Sequence, residues 1–586
     1  MRYLILGIIF VCVNIQAFAQ SFSVHREQSE YYNKYTGAPE SFFDSLHQYK
    51  NTEVLTRNAA TSLQKRVFGY QPYWGGSAWQ SYRWDLLSDL CYFSYEVNPA
   101  NGEAITTHDW YAAAVIDTAL ARGVKVHLCV TLFNSHAQFF NNAQARQTLT
   151  TNLINMLIQR GAHGINLDFE AVPSSQQSAL TSYITELSQA LKSALPQAEL
   201  SIAAPAVNWS NTFDIQAITP WLDLIMIMAY DYYWDGSSLA GPVSGFWPLT
   251  SSFDYGVNRS LSYYQAQGVP AEKLLLGLPY YGREWPVSAN TLPANTTGNG
   301  TAITYRNIRS NTSVYKPENL YWDYRSYNPY YSYFTSQWRQ CFFDDERSLG
   351  AKYDLVNRRN VAGIGIWALG YDNGYQELWN LIEDKFAGSP QDLCQDTIYD
   401  SGGPWWSYGN SEHYTETIQS AWGGPLTINF ESLSLEAGYD SLWIYDGPDT
   451  QFPLLASLSG NEIPQQLVTS GNSFTIRFFS DNLTRLAGYK LIWSCPTAST
   501  DEDIAGPGFE VYPNPASGII HLNITSTYQL PVEVSFTDLQ GRLMFAKLFH
   551  ESGVTNVDIR TFKPGAYLVH LKSGSVNGTR KILVLP

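Results

Sequence analysis

The residues with the clearest chemical capacity are three polar side chains in the segment G-I-N-L-D-F-E, residues 164–170. In an extended strand Asn166, Asp168 and Glu170 lie on one face, and the apolar residues between them lie on the other. The two carboxyl groups would be roughly 6–7 Å apart, so the charge of Asp168 disfavours ionisation of Glu170 and raises its pKa. A carboxylic acid that keeps its proton near neutral pH can act as a general acid. The spacing therefore predicts that Glu170 is a proton donor.

The elements that must position these residues repeat from residue 66 to about residue 386. Short apolar runs alternate there with amphipathic stretches of helical length, such as 148–160 and 176–194. This alternation predicts a closed (β/α)8 TIM barrel. An open doubly wound sheet is the alternative, but no glycine-rich phosphate loop follows the first run. The eight predicted strands are 67–70, 90–95, 125–130, 164–170, 200–205, 222–231, 274–280 and 363–370.

A barrel would place the polar face of 164–170 in its interior, with Glu170 at the C-terminal mouth, where barrel active sites lie. The alternative is a solvated acidic strand end, but an inward row of acids is costly without a role. Between the seventh and eighth predicted strands, residues 284–356 are too many for an ordinary loop. They predict an inserted α+β subdomain above the mouth.

Several ordered motifs resemble glycoside hydrolase family 18, the chitinase family. The strand at 163–170 is similar to its D-x-x-D-x-D-x-E signature, and M-A-Y-D (228–231) to its motif on the sixth strand. Trp367 falls where the family has a Trp on its eighth strand. G-Y-Q-P-Y-W (69–74) resembles the family's first strand, and F-D-D-E-R-S (343–348) its insertion. The resemblance covers the predicted domain 66–388.

The resemblance implies retaining hydrolysis in which the substrate's own N-acetyl carbonyl attacks C1, with no cofactor needed for catalysis. Glu170 would protonate the leaving oxygen, and Asp168 would hold the acetamido N–H. Tyr230 would hydrogen-bond the acetamido oxygen, Asp231 would help to position that group, and Trp367 would form the floor under the sugar. The substrate would then be an N-acetylglucosamine polymer, either chitin or peptidoglycan.

Two departures from the family pattern bear on these expectations. His163 and Asn166 replace the first two acids of the signature. The amide of Asn166 can hydrogen-bond Asp168 but cannot share a proton with it, so Asp168 should be more fully ionised than among three stacked acids, with a shifted pH profile. The third strand reads C-V-T-L-F-N (129–134) instead of S-x-G-G, which leaves chitin, peptidoglycan and N-glycan cores open as substrates.

Aromatic residues are abundant, at 15% of the chain, and many fall near strand ends. They can stack on sugar rings or close the top of the barrel, and the sequence does not separate these roles. Trp209, Tyr232 and Trp285 belong to this ambiguous group. The predicted substrate-binding set is Trp367, Met228, Tyr70, Trp74, Tyr281 and Trp234.

The N-terminus indicates an exported protein, and the net charge argues against one class of partner. Residues 1–19 resemble a signal peptide, with Arg2, an apolar run and A-F-A before the cleavage point. Residues 20–65 are polar and receive no predicted function. No later run reaches membrane length, so no transmembrane segment is expected in the mature chain. The net charge of −16 argues against nucleic-acid binding.

Beyond the barrel, short alternating strands predict a β-sandwich over 394–495. Cys394 and Cys495 bracket it and could pair after export. The segment resembles a CUB domain through Y-D-S-L-W-I-Y-D-G (439–447). In calcium-binding CUB domains three acids meet at one end, and the resemblance carries these over to Glu436, Asp440 and Asp481 as a possible Ca²⁺ site.

After a polar linker at 497–508, residues 509–586 predict a small immunoglobulin-like β-sandwich. The motifs V-Y-P-N-P-A-S-G (511–518) and D-L-Q-G-R (538–542) resemble the C-terminal sorting domain of type IX secretion. The resemblance implies a type IX secretion machinery as partner and a secreted or cell-surface location.

The sequence thus favours a secreted, endo-acting, chitinase-like hydrolase. A peptidoglycan or N-glycan endo-β-N-acetylglucosaminidase is the alternative within the same class. A sugar-binding lectin on the same barrel is a rival, although such proteins typically lose the acid at position 170. An adhesion protein acting through the CUB-like domain is another.

Overall fold

The structure is a computed structural model that describes residues 23–49, 62–387, 394–421, 423–495, 509–516, 518–524, 530–538, 542–563, 565–573 and 576–584. The predicted signal peptide and the predicted linker at 497–508 lie outside the described residues. The chain divides into two compact units, Met1–Cys495 and Pro496–Pro586.

Eight parallel strands form the centre of the first unit, each in a position predicted from the apolar runs. The first strand pairs with both the second and the eighth, as in the registers Phe68↔Asp89 and Arg66↔Gly363, so the sheet closes on itself. The predicted TIM barrel is confirmed. Its strands are Arg66–Pro72, Asp89–Val97, Lys125–Leu132, Gly164–Phe169, Glu199–Pro205, Leu224–Met228, Leu274–Pro279 and Gly363–Trp367.

Helices alternate with these strands. The helix before the fourth strand begins at an N-cap, because the Asn142 side chain accepts a hydrogen bond from the backbone N–H of Ala145. It ends at Gly161, whose φ of +65° is a left-handed conformation that glycine adopts without strain. The principal helices of the barrel region are Ala114–Ala121, His136–Phe140, Ala143–Arg160, Gln177–Ala194, Ile215–Ile218, Val257–Ala266, Glu346–Arg358 and Glu377–Phe386.

The insertion after the seventh strand is a five-stranded antiparallel sheet with one helix, Tyr305–Ser310. It begins three residues earlier than predicted and ends before Glu346–Arg358. That helix leads into the eighth barrel strand and starts at a capping box formed by Asp345 and Ser348. The strands of the sheet are Tyr281–Val287, Thr301–Thr304, Leu320–Asp323, Asn328–Phe334 and Trp338–Phe342.

Residues 23–49, here called the N-terminal segment, contain the helices Val24–Tyr32 and Glu40–His47. The segment packs on the barrel mouth. Asp44 accepts a hydrogen bond from the backbone N–H of Ser77 at 2.7 Å, and Phe43 is buried. Tyr32 stacks on Trp74 with ring centres 4.7 Å apart. The polar composition of this segment gave no indication of this placement.

The predicted β-sandwich after the barrel is confirmed and consists of two four-stranded sheets. Cys394 and Cys495 form the predicted disulfide, and Cys91 and Cys129 are buried free thiols. One sheet contains Gln395–Tyr399, Gly488–Ser494, Thr427–Ser434 and Leu467–Val468; the other contains His413–Gln419, Ser473–Phe479, Ser441–Tyr445 and Leu454–Leu458.

A buried charge network joins this sandwich to the barrel. Arg359, 2% exposed, donates to Glu416 of the sandwich at 2.7 Å and stacks over Tyr414 at 3.4 Å. Its other nitrogens donate to Asn258 and Gln265 on a barrel helix. The pKa of the Glu416 carboxyl stays below its usual value because the charges of Arg359 and Arg358 outweigh the effect of burial.

The second unit is a small β-domain with its own apolar core, as predicted. Its two sheets have three and four strands. The first contains Glu510–Tyr512, Ile519–Ile524 and Gly553–Asp558, and the second contains Leu543–Phe549, Val532–Asp538, Gly565–Ser573 and Val576–Val584.

Candidate active site

The strand Gly164–Phe169 lies between the third and fifth strands and is buried on both faces. Its apolar face points to the helices, since the Phe169 ring lies parallel to that of Tyr183 with centroids 6.1 Å apart. Its polar face points into the barrel. Asp168 is fully buried, and Glu170, one residue beyond the strand, is 7% exposed. The alternation predicted from the sequence therefore holds.

Burial dominates the electrostatics of this carboxyl pair. Burial and, after it, the nearby charge of Asp168 together raise the pKa of Glu170 to about 8. Burial also raises the pKa of Asp168. The direction predicted for Glu170 is confirmed, but its main cause is loss of solvent. Asp168 Oδ1 and Glu170 Oε1 are buried without a hydrogen-bond partner among the described residues.

Asn166 does not form the hydrogen bond to Asp168 that its position suggested. Its carbonyl oxygen accepts from the Tyr70 hydroxyl at 3.0 Å, and its amide nitrogen donates to Ser201 Oγ at 2.9 Å. Two buried hydroxyls, one on the neighbouring fifth strand and one on the first strand, bond the amide, so it is turned away from Asp168. The expectation of this hydrogen bond is corrected.

We expect Asn166→Asp to move the acid limb of the kcat/KM profile to higher pH. A third buried carboxyl, added to those of Asp168 and Glu170, would raise the pKa of Asp168 further, so the ionised form of Asp168 would be lost earlier as the pH falls. The measurement is kcat/KM against pH, with Asn101→Asp on an exposed loop as the control. An unmoved acid limb would contradict the coupling between positions 166 and 168.

Tyr230 and Asp231 follow the sixth strand, which ends at Met228 instead of at residue 231 as predicted. Asp231 adopts a left-handed backbone conformation with φ of +55°. Its Oδ1 accepts from the Tyr281 hydroxyl at 2.7 Å, and the fully buried guanidinium of Arg283 lies 3.6 Å away. Sequence reasoning missed Arg283, because nothing in its local pattern separates it from a surface residue of the insertion.

Trp367 ends the eighth strand and is fully buried among other aromatic rings. Its ring centre lies 5.5 Å from that of Tyr70 and 6.4 Å from that of Trp74. The Trp74 indole N–H donates to the hydroxyl of Tyr371, a residue that sequence reasoning did not single out. These four residues form an aromatic wall beside the carboxyl pair.

Other candidate residues do not join this cluster. Trp285 is buried in the insertion and donates to the backbone oxygen of Trp234 at 3.2 Å. Tyr232 bonds Ser260 on an outer helix, and Trp209 packs on Tyr255. Among the described contacts, none joins the side chain of Trp234 or Met228 to the carboxyl pair. Met228 is nevertheless buried at the strand end next to Tyr230.

His25 of the N-terminal segment lies at the centre of the site. Its Nδ1 is 2.8 Å from Asp168 Oδ2, and its Nε2 is 2.7 Å from the Tyr230 hydroxyl. Its ring stacks on Trp367 with centroids 3.5 Å apart. Burial lowers the pKa of His25 to about 4, so the ring is neutral near pH 7. The sequence contained no signal for this contact.

Three clusters of the described residues could hold a metal ion by spacing alone. His25, Asp168 and Glu170 form the first. Asp89, His127 and Glu199 form the second. Arg66 already forms ion pairs with both acids of this cluster and offsets their negative charge. The third, Glu436, Asp440 and Asp481, is the predicted group in the β-sandwich.

A closed barrel with a protonatable Glu beside a second buried carboxyl at its C-terminal mouth is an arrangement suited to acid–base chemistry. The profile described as "Glycosyl hydrolases family 18" matches residues 66–372, just over half of the 586-residue chain. The chain belongs to that family.

Profiles described as "CUB domain" and "Secretion system C-terminal sorting domain" match residues 395–493 and 510–585. Both resemblances predicted from the sequence are thereby confirmed. Among the described residues, no helix combines the length and the apolar character that a membrane crossing requires.

Similar proteins include the "Putative sporulation-specific glycosylase YdhD" of Bacillus subtilis, 28% identical over 48% of this chain and 66% of that protein. The "Probable endochitinase" of Caenorhabditis elegans is 25% identical over 40% of each chain. The chain thus spans less than two thirds of either relative. A crystal structure of YKL-39 with chitooligosaccharides, 18% identical with a TM-score of 0.50, covers 55% of this chain and all of that one, and shows the fold alone.

Proposed function

We propose that the protein is an exported enzyme that cleaves β-1,4-linked N-acetylglucosamine polymers, chitin first, by substrate-assisted retaining catalysis. One observation carries the proposal. Asp168 and Tyr230 present an acceptor and a donor to the two nitrogens of a single planar ring, His25. The two nitrogens of an imidazole ring are about 2.2 Å apart. The bond lengths of an amide place its nitrogen and its oxygen at about the same separation. The pair is therefore spaced to hold an acetamido group.

In the proposed reaction Glu170 donates its proton to the glycosidic oxygen as the bond from C1 to that oxygen breaks. The acetamido carbonyl oxygen of the same sugar forms a bond to C1 and gives an oxazolinium ion. Asp168 accepts the acetamido N–H and offsets the positive charge, while Tyr230 donates to the acetamido oxygen. Glu170, now ionised, takes a proton from a water molecule as that water attacks C1. This attack breaks the bond from C1 to the acetamido oxygen, opens the oxazolinium ring and restores the acetamido group.

The surroundings of the pair fit this role. Asp231, held by Tyr281, lies beside Tyr230 and can orient the acetamido group. The indole of Trp367, close to Tyr70, offers a flat apolar surface for the sugar. Asn166 supports the strand from within the barrel through Tyr70 and Ser201.

Peptidoglycan is the second candidate, because the third strand reads C-V-T-L-F-N where many chitinases have S-x-G-G. The acetamido subsite does not distinguish the two polymers. The insertion after the seventh strand, which adds a wall of five strands beside the mouth, favours a long polymer over an N-glycan core. The intact Glu170 favours an enzyme over a lectin.

The test is product analysis by mass spectrometry after incubation with chitin oligomers, peptidoglycan and a high-mannose glycopeptide. We expect N-acetylated chitin fragments by mass, and proton NMR of the freshly released fragments should show a retained anomeric configuration. Cleavage of peptidoglycan alone would support the second candidate. Binding of these substrates without cleavage of any would leave the lectin interpretation.

The sorting domain supports export in two steps, with removal of residues 1–19 followed by passage across an outer membrane through a type IX machinery. We therefore place the mature enzyme at the cell surface or outside the cell. This location suits an enzyme acting on a polymer that cannot enter a cell.

We also propose a Ca²⁺ site in the CUB domain. One carboxylate oxygen from each of Glu436, Asp440 and Asp481 lies within 4.8 Å of the others. Glu436 Oε2 is buried and has no hydrogen-bond partner among the described residues. Tyr408 and the backbone N–H of Asp481 already fix the Asp440 carboxylate. The residues fit a hard cation with oxygen ligands.

Millimolar Ca²⁺ should raise the unfolding temperature of the wild type by roughly 2–4 °C, since a ligand that binds only the folded state stabilises it. Glu436→Gln should abolish this shift. Glu431→Gln, an exposed acid paired with Lys490 in the same domain, should keep it. Scanning calorimetry with and without Ca²⁺ measures the effect, and an equal shift in both variants would refute the site.

A further inference from the structure

The N-terminal segment reaches every part of the proposed acetamido site. Besides the two bonds of His25, the backbone N–H of Val24 donates to Asp231 Oδ2 at 2.7 Å. Gln28 Oε1 accepts from the Trp367 indole at 3.0 Å and from the Tyr371 hydroxyl at 2.7 Å. Its helix therefore uses one turn to contact the carboxyl pair, the positioning acid and the aromatic wall.

An ion pair anchors the same turn. Glu27 pairs with Arg283 at 2.7 Å, and Arg283 also lies near Asp231. The guanidinium of Arg283 is fully buried, so its charge would be uncompensated on that side without Glu27. Farther along the segment, Arg306 donates to the backbone oxygens of His47 and Gln48. The docking is thus specific along its length.

His25 reproduces the hydrogen bonding of the acetamido group. With the proton on Nδ1, the neutral ring donates to Asp168 and accepts from Tyr230 through Nε2, as an amide N–H and carbonyl would. Its flat face covers Trp367 at 3.5 Å, where the proposed reaction places the sugar. A sugar and His25 cannot occupy this position together.

We propose that the N-terminal segment is a tethered competitive ligand of the active site, with His25 in place of the substrate's N-acetyl group. The inference rests on the proposed function for the identity of the competing sugar. The docked state excludes substrate, and only the fraction of molecules with the segment released binds it. The apparent KM is then the intrinsic KM divided by that fraction, while kcat is unchanged.

The kinetic test uses the full-length mature protein and two variants of the segment. His25→Ala removes both hydrogen bonds, and Gln28→Ala removes contacts to the aromatic wall without touching Asp168. We expect each to lower KM for N-acetylchitotetraose, by about tenfold for His25→Ala, with kcat within twofold of the wild type. Glu30→Ala, on the exposed side of the same helix, should change neither constant.

Two results would overturn the inference. An unchanged KM in both variants would show that the segment does not compete with substrate. A lower kcat in His25→Ala would make His25 part of the catalytic machinery. If the segment has a purely structural role, His25→Ala and Gln28→Ala should lower the unfolding temperature without lowering KM. Calorimetry of these two variants and of Glu30→Ala identifies that case.

Hydrogen exchange distinguishes failure of this inference from failure of the proposed function. Without any sugar, amides of residues 24–32 should exchange faster in His25→Ala than in Glu30→Ala. N-acetylchitotetraose should accelerate the same amides in the wild type by displacing the segment. If the tetrasaccharide is neither bound nor cleaved, the proposed function fails, and the sugar-free comparison still decides whether His25 docks the segment. Equal exchange in both variants would refute docking.

Discussion

Glu170→Gln should lower kcat on N-acetylchitotetraose by at least about 10³-fold, a loss of about 4 kcal/mol of transition-state stabilisation. The amide has nearly the same shape as the acid but carries no proton to donate. Because Glu170 is almost fully buried, solvent cannot substitute for it easily. Steady-state kinetics with quantified products measures the loss.

The same variant should bind the tetrasaccharide with nearly unchanged affinity, which calorimetry can establish. Glu186→Gln, on the exposed face of the helix Gln177–Ala194, is the matched control and should keep full activity. A general acid must hold its proton, so wild-type kcat/KM should fall as pH rises through the raised pKa of Glu170, about 8. Activity of Glu170→Gln within tenfold of the wild type would reject Glu170 as the acid.

The second large effect concerns the substrate. A chitotetraose with all acetyl groups removed should be cleaved at least about 10³-fold more slowly than the acetylated one, because the proposed nucleophile is then missing. A free amine also offers no carbonyl to the Tyr230 hydroxyl. Rates for the two tetrasaccharides at equal concentration, followed by mass spectrometry, test this directly.

The affinity for each tetrasaccharide must be measured together with its cleavage rate, since the charged amines of the deacetylated oligomer would still be attracted to the carboxyl pair. Binding of both oligomers to Glu170→Gln separates weak binding from slow chemistry. Cleavage of the deacetylated oligomer within tenfold of the acetylated one would exclude the substrate's own carbonyl as nucleophile. Asp168 would then become the candidate nucleophile.

The sequence predicts the barrel well because its determinants are local and periodic. Apolar runs locate all eight strands, and a period of two assigns the faces of Gly164–Phe169. The same periodicity cannot locate a conformational break, so it extends the sixth strand through Asp231, whose backbone is left-handed. It also continues the insertion into Glu346–Arg358, which is a barrel helix.

Sequence periodicity does not predict that the N-terminal segment docks on the barrel. His25 contacts Asp168 and Tyr230, which are 143 and 205 residues away along the chain. A short polar helix capped by Ser23 contains no periodic signal for what it touches. Depth of burial, which dominates the pKa of Glu170, likewise depends on the complete fold.

The buried Arg359 makes the barrel and the CUB domain mutually dependent. Without the sandwich, a guanidinium now 2% exposed would lose its Glu416 partner and the ring of Tyr414. A barrel produced alone would therefore lose the ion pair and the cation–π contact that this arginine makes across the interface. We therefore expect the barrel to be less stable when it is produced without the sandwich. Engineers who wish to transplant this catalytic domain should move both together.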